Sequence, residues 1–201
     1  MKRQICILLV LVLSLLPCGC AGDNQVTNAQ AHDLLQKVLS GEQSFTVYNE
    51  ATDRTYKADL TDFRYPTDNN ALNAFTASHY TFADFDGNGI EDLLVMDISL
   101  QYSYLFHCEG NIVYCCVHQG IVPKGVKTDG TLQKVRHLAG EKAILSLSFS
   151  GTECTAYEHA YYNEKQEQYR IGGKTTTKQS AEQYFKEWEE DTETVSWTAM
   201  Y

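Results

Sequence analysis

Residues 84–92 read DFDGNGIED, and the spacing of oxygen-bearing side chains in this stretch is the most informative feature of the chain. Aspartate or asparagine stands at its first, third, fifth and ninth positions, as Asp84, Asp86, Asn88 and Asp92. Calcium in proteins takes about six to eight oxygen ligands from carboxylates, amides, backbone carbonyls and water. Side chains at alternate positions of a tight turn can converge on one cation, and the backbone carbonyl of Ile90 can join them. The pattern therefore predicts a Ca²⁺ site with these five ligands.

The flanking residues indicate what kind of loop this is. An EF-hand loop lies between two helices and ends in a bidentate Glu at its twelfth position, where this chain has Val95. Residues 80–83 before the loop are β-prone, and the apolar run 93–96 after it is compatible with a strand. The EF-hand interpretation is therefore excluded, and we expect the loop to join two strands.

Residues 82–95, FADFDGNGIEDLLV, resemble the calcium loop of FG-GAP or VCBS-type repeats, as found in integrin-like β-propellers. The resemblance covers about 15–30 residues and not the whole chain, so it is a match of a short motif. It implies Ca²⁺ as the cofactor, with the side chains named above and the Ile90 carbonyl as ligands. A propeller needs several blades of about 40 residues each, and this chain has one such loop. We therefore expect a blade-like meander and no closed propeller.

The alternative is a hairpin turn that holds no metal, because Asp-Gly and Asn-Gly pairs are strong hairpin signals. A bare turn gains nothing from three acidic groups, however. Crowding Asp84, Asp86 and Asp92 together without a cation costs electrostatic repulsion. The purely oxygen-based ligand set favours Ca²⁺ over zinc or copper.

The N-terminal residues have the pattern of an export signal. Lys2 and Arg3 precede an apolar stretch, residues 5–16, that is too short for a comfortable transmembrane helix. The following residues resemble a bacterial lipoprotein signal, in which a Cys after a small residue is lipidated, and this resemblance implies Cys20 as the lipidated residue. Pro17 departs from the usual pattern, and Cys18 is the alternative acceptor. We expect a signal peptide over 1–19, a tether over 20–26 and one domain over 27–201.

Charge limits the partners of the mature chain. Loss of Lys2 and Arg3 with the signal leaves 14 basic and 26 acidic residues, a net charge of −12. Such a surface disfavours nucleic acid and anionic lipid. We expect membrane contact through the lipid anchor only, an extracytoplasmic location at the cell surface, and an unknown protein or glycan as ligand.

The rest of the chain predicts an α+β fold, mainly an antiparallel β-meander with an N-terminal and a C-terminal helix. Thr27 and Gln30 form a capping box before an amphipathic stretch that ends at Gly41, and Ser180 is the expected cap of the second helix. Between the helices, short β-prone runs alternate with turns such as Glu109-Gly110-Asn111 and Asp129-Gly130, and residues 194–197 are expected as a last strand. The layout resembles small lipoproteins of Gram-positive gut bacteria, a resemblance that implies no particular activity.

Motifs for catalysis are missing from the sequence. The six histidines form no His-Glu-x-x-His pattern, and no Gly-x-Ser-x-Gly elbow or phosphate-binding loop occurs. Cys108, Cys115, Cys116 and Cys154 remain after processing and allow three disulfide pairings, among which the sequence does not choose. Adjacent Cys115 and Cys116 would point to opposite faces of a strand.

Three functions remain open at this stage. The first, which we favour, is a surface-anchored binding module that is not an enzyme and has a structural Ca²⁺-binding loop. The second is a secreted enzyme acting on cell-wall or host polymers, and the third is a structural lipoprotein without metal.

Overall fold

A computed structural model describes residues 26–49, 53–61, 64–66, 72–74, 76–97, 102–136, 139–191 and 193–200. In chain order the elements are α1 (Asn28–Ser40), β1 (Phe45–Asn49), β2 (Arg54–Ala58), β3 (Arg64–Pro66), β4 (Leu72–Ala74), β5 (Ala77–Ala83), β6 (Asp92–Asp97), β7 (Tyr102–Glu109), β8 (Ile112–Gln119), β9 (Ile121–Val126), β10 (Leu132–Arg136), β11 (Glu141–Ser150), β12 (Glu153–Asn163), β13 (Gln168–Ile171), β14 (Lys174–Thr175), α2 (Lys178–Asp191) and β15 (Thr198–Ala199). The expected α+β class, with a β-meander and two helices, is confirmed.

Two sheets contain most of these strands. The first, which we call sheet A, has seven strands in the order β15-β5-β6-β7-β8-β1-β2. The second, sheet C, has six strands in the order β14-β13-β12-β11-β10-β9, and β3 and β4 form a separate pair. Neighbouring strands are antiparallel except β1 and β8, which pair in parallel through Thr46 with Tyr114 and Val47 with Cys115. Sheet A is therefore a mixed sheet built on a meander of β5 to β8.

The side chains of the central strands point alternately to the two faces of sheet A and so belong to two separate cores. Successive residues of a strand point to opposite faces of its sheet. Leu93 and Val95 of β6 join a core with Leu35 and Val38 of α1, whereas Leu94 and Met96 join a core with residues of sheet C. All six residues of β6 are buried for this reason. Cys115 and Cys116 also belong to different cores, which confirms that they face opposite ways.

The fold therefore has four layers, α1 on sheet A, sheet A on sheet C, and sheet C on α2. Among the described residues, the buried members of the core between the two sheets are Phe85, Leu94, Met96, Leu105, Cys116, Ile121, Val126, Leu132, Leu147 and Val195. Helix α2 buries Ala181 and Phe185 against Ile144 and Ala160 of sheet C. The middle of sheet A is thereby covered on both faces, whereas residues toward its β2 edge, such as Tyr48 of β1 at 38 % exposure, remain open to solvent.

Helix α1 begins and ends as its sequence predicts. Thr27 accepts a hydrogen bond from the backbone N–H of Gln30, and the Gln30 side chain accepts one from the Thr27 backbone N–H, so both halves of the capping box are present. Gly41 ends the helix in the left-handed conformation at φ 77°, which costs glycine little.

Two boundaries near the C-terminus differ from expectation. The expected cap at Ser180 is wrong, because α2 begins at Lys178 and the Thr177 hydroxyl accepts a hydrogen bond from the Ser180 backbone N–H. The expected strand over 194–197 is also wrong. Thr194 makes an isolated bridge to Lys127, and the last strand is β15, which pairs with β5. The hairpins at Gly110-Asn111 and Asp129-Gly130 are confirmed.

None of the described helices is long and apolar enough to cross a lipid bilayer. The expected signal peptide and tether, with Cys18 and Cys20, lie outside the described residues, apart from Val26 at the end of the tether.

Candidate metal centre

The stretch 84–91 connects β5 to β6, which confirms that the loop joins two strands. The two strands are antiparallel, and their register ends with Ala83 opposite Asp92. Asp84 follows Ala83 directly, so this pairing brings the first and last acidic residues of the loop close together although eight positions separate them in the chain.

The structure brings three of the five predicted ligands together. One carboxylate oxygen from each of Asp84, Asp86 and Asp92 can be chosen so that all lie within 4.8 Å of one another. Asp92 is only 1 % exposed and forms the floor of the cluster, whereas Asp84 and Asp86 are half-buried. Three carboxylates in this arrangement form one side of an oxygen-rich site open to solvent on the other.

Backbone N–H groups hold the carboxylates in place. Asp84 accepts hydrogen bonds from the N–H groups of Asn88 at 3.1 Å and Gly89 at 2.8 Å. Asp92 accepts one from the Phe85 N–H at 3.0 Å. These bonds leave each carboxylate with lone pairs to spare, because a carboxylate can accept about four. The loop is thus shaped around its acidic groups before any ligand is added.

Asn88 and Ile90 are placed differently from the three carboxylates. The Asn88 amide donates to Asp86 at 3.0 Å, and its Oδ1 accepts a hydrogen bond from the Ile90 backbone N–H at 2.7 Å. In this conformation the amide oxygen is engaged within the loop. An amide oxygen has a second lone pair, so Asn88 can bind a cation through it while it keeps the Ile90 hydrogen bond. The predicted ligand roles of Asn88 and Ile90 remain predictions.

Electrostatics make the cluster costly in the absence of a cation. Burial raises the pKa of the Asp92 carboxyl to about 9, against the effect of the Phe85 N–H, and the charges of Asp86 and Asp84 raise it further. Burial also raises the pKa of Asp86, to which the Asp84 charge contributes. A bound cation removes this penalty, because an opposite charge within a few ångströms favours the ionised form.

Helix α1 supports the loop from one side, which the sequence did not indicate. The Asn28 side chain accepts a hydrogen bond from the Glu91 backbone N–H at 2.7 Å. His32 Nδ1 lies 2.8 Å from a Glu91 carboxylate oxygen, and its ring packs 4.7 Å from that of Phe82. About 60 positions separate these partners, and no local pattern joins them.

The β9–β10 turn supports the loop from the other side. Gly130 lies against the backbone of residues 84 and 85 in a left-handed conformation at φ 82°. A methyl group on Gly130 would stand 2.4 Å from the Asp84 backbone oxygen and 3.2 Å from the Phe85 Cα. The close approach fixes the position of Asp84, the first residue of the loop.

An open groove of about 550 Å³ runs beside the loop. Its lining combines aromatic rings, hydroxyl groups and two carboxylates: His32, Tyr80, Phe82, Thr81, Thr128, Ser196, Thr198, Asp84 and Glu91. The volume is within the range of about 300–1,000 Å³ typical of small-molecule sites. Asp84 belongs to both the acidic cluster and the groove, so the two features share a wall.

Comparison of the chain with protein-family models, with curated proteins and with solved structures yields no match.

Proposed function

We propose that this chain is an exported, lipid-anchored cell-surface protein that binds Ca²⁺ through loop 84–92 and binds a protein or glycan ligand beside that loop. The observation that carries the calcium proposal is the convergence of Asp84, Asp86 and Asp92 within 4.8 Å, with Asp92 buried beneath the other two. Hard oxygen ligands of this kind suit Ca²⁺. The ion neutralises the cluster and holds the β5–β6 register, so its role is structural.

The groove supports a binding role rather than a catalytic one. Aromatic rings next to hydroxyl groups can pack on the apolar face of a sugar or peptide and hydrogen-bond its polar groups. Tyr80, Phe82 and Thr198 supply such groups here, and Asp84 places the calcium loop in the same wall. Ca²⁺ therefore orders one side of the ligand site without touching the ligand.

Thermal denaturation of the purified protein tests the calcium proposal. Ca²⁺ that binds only the folded state stabilises it by RT ln(1 + [Ca²⁺]/Kd). For a Kd of about 10⁻⁴–10⁻³ M, typical of extracellular modules, 10 mM Ca²⁺ adds about 1.4–2.7 kcal/mol. The expected rise in Tm over EDTA is about 3–10 °C. Mg²⁺ is expected to do less, because it prefers a smaller octahedral site.

Asp86→Ala is expected to abolish the rise in Tm with Ca²⁺, because it removes one of the three converging carboxylates. Asp59→Ala is the matched control, since Asp59 is exposed and lies outside the loop. Superimposable melts of the natural protein in Ca²⁺ and in EDTA would show that loop 84–92 is a hairpin turn without a metal.

The lipid anchor is tested by detergent phase separation of the protein made in a bacterial host. An acyl chain contributes about 0.8 kcal/mol of membrane affinity per buried methylene, so the anchored protein is expected in the detergent phase. Cys20→Ser should move it to the aqueous phase, whereas Cys18→Ser should leave it in the detergent phase. The opposite pattern would assign the lipid to Cys18, and a natural protein found in the aqueous phase would rule out lipidation.

A further inference from the structure

Two cysteines from different sheets belong to the core on the face of sheet A that lies opposite α1. Cys116 of β8 is a buried member of that core, and Cys154 of β12 packs against it. Cys116 is 5 % exposed, whereas Cys154 is half-buried. A buried cysteine and a more exposed one therefore share the core between the sheets.

A histidine completes the group. His118 lies two residues after Cys116 on the same strand, so both side chains point to the same face of sheet A. Its Nε2 is 3.1 Å from the Cys154 sulfur. When the ring is protonated, it donates a hydrogen bond to that sulfur and places a positive charge beside it, which is the environment that activates cysteine nucleophiles.

The turn between β11 and β12, which precedes Cys154, is held against β7 and β8 by hydrogen bonds. His107 Nε2 lies 2.7 Å from the Gly151 backbone oxygen, and Glu109 accepts a hydrogen bond from the Gly151 N–H at 2.6 Å. The Cys116 thiol also donates to the Thr152 backbone oxygen at 3.5 Å. These contacts fix the hairpin over sheet A, so the fold sets where Cys154 lies relative to β8.

The four described cysteines differ in how readily they ionise. The neighbouring Cys116 thiol holds the pKa of the Cys154 thiol below its ordinary value, and His118 lowers it further, although burial acts in the opposite direction. Burial raises the pKa of the Cys108 thiol to about 12, and it raises that of Cys115 well above the ordinary value. Cys154 is thus the thiol that the protein favours as a thiolate.

We propose that Cys154 and Cys116 form a redox-active pair that reacts with low-molecular-weight disulfides, with Cys154 as the attacking sulfur and Cys116 as the resolving one. A small disulfide suits the site, because Cys154 is half-buried and the hairpin turn beside it is held close to sheet A.

The reaction has two exchange steps. The Cys154 thiolate attacks one sulfur of the disulfide RSSR, the S–S bond breaks, and the leaving thiolate takes the proton held by His118. The Cys116 sulfur then attacks Cys154 in the mixed disulfide, and the second RS group leaves with the Cys116 proton. Two protein thiols are oxidised to one disulfide while RSSR is reduced to two RSH. The product joins sheet A to sheet C covalently.

Treatment of the reduced, folded protein with excess oxidised glutathione tests the proposal, with disulfides located by mass spectrometry of proteolytic peptides. The expected product is the Cys116–Cys154 disulfide. Cys116→Ser should accumulate the glutathione mixed disulfide at Cys154, because no resolving thiol remains. Cys154→Ser should leave Cys116 in its reduced form. A disulfide through Cys108, or equal labelling of Cys108 and Cys154, would overturn the proposal.

The role of His118 is tested by the rate at which iodoacetamide alkylates Cys154 at neutral pH. His118→Gln is expected to slow this reaction about tenfold, since the thiolate fraction falls, and to leave the rate at Cys108 unchanged. Alkylation of Cys108 in the same sample reports any loosening of the fold. An unchanged Cys154 rate in a variant with an unchanged melt would remove His118 from the mechanism.

Discussion

Gly130→Ala is expected to destabilise the protein by about 2–5 kcal/mol, although the change adds a single methyl group. A left-handed conformation costs an L-residue roughly 1–2 kcal/mol, and forcing atoms into a packed site costs about 1–3 kcal/mol more. The new methyl group would meet backbone atoms of Asp84 and Phe85, which cannot rotate away as a side chain can. Either the β9–β10 turn or the start of loop 84–92 has to move.

Urea denaturation measures this effect. The loss in the free energy of unfolding is the shift of the transition midpoint multiplied by the slope m, the dependence of that free energy on urea concentration. Gly173→Ala is the matched control, because Gly173 has φ 73° and a methyl group there would meet nothing within 4 Å. Gly173→Ala should lower the free energy of unfolding only by the cost of the left-handed conformation, about 1–2 kcal/mol. The Gly130 variant should also show a smaller rise in Tm with Ca²⁺, since Asp84 is displaced. Equal losses in the two variants would mean that the turn does not position the loop.

Asp92→Asn is expected to stabilise the protein in EDTA and to make it insensitive to Ca²⁺. The Asp92 side chain is 1 % exposed and faces two further acidic groups. Without a cation it has to stay ionised in a buried acidic cluster or take up a proton well above its ordinary pKa, and either lowers the free energy of unfolding. Asparagine is neutral and keeps an oxygen that can accept the Phe85 N–H bond. The substitution therefore removes this cost and keeps the local hydrogen bond.

The measurement is a pair of melts, one in EDTA and one in 10 mM Ca²⁺. In EDTA the variant should melt above the natural protein, and in Ca²⁺ the difference should shrink, because only the natural protein gains stability. Asp59→Asn removes an exposed charge and should behave like the natural protein in both buffers. A variant that melts below the natural protein in EDTA would mean that Asp92 is stabilised by contacts within the protein and does not depend on a cation.

Local sequence signals predicted the parts of the fold that are themselves local. The capping box of α1, the turns at Gly110-Asn111 and Asp129-Gly130, and the strands on both sides of loop 84–92 each follow from a few neighbouring residues. The acidic cluster was predicted for the same reason, because its three carboxylates lie within nine positions.

What sequence reasoning missed depends on contacts between distant residues. Nothing near Phe45 indicates that β1 lies parallel to β8, because that pairing is decided by how the apolar face of β1 completes the core under α1. No local sequence pattern around Asn28 or His32 indicates their contacts with loop 84–92, because those contacts exist only in the folded protein. The prediction that Ser180 caps α2 was wrong for a different reason. Thr177 and Ser180 both have capping side chains three residues apart, and a local pattern does not choose between them.

The pairing of β15 with β5 has a consequence for biosynthesis. Residues 77–83 leave the ribosome well before residues 198–199, yet they form the neighbouring strand of sheet A. Until the later segment arrives, the edge of β5 lacks its partner and Val195 is missing from the core between the sheets. An open strand edge is a template for aggregation, and contacts this far apart in sequence form slowly. We therefore expect sheet A and the core between the sheets to be completed only after nearly all of the chain has been made.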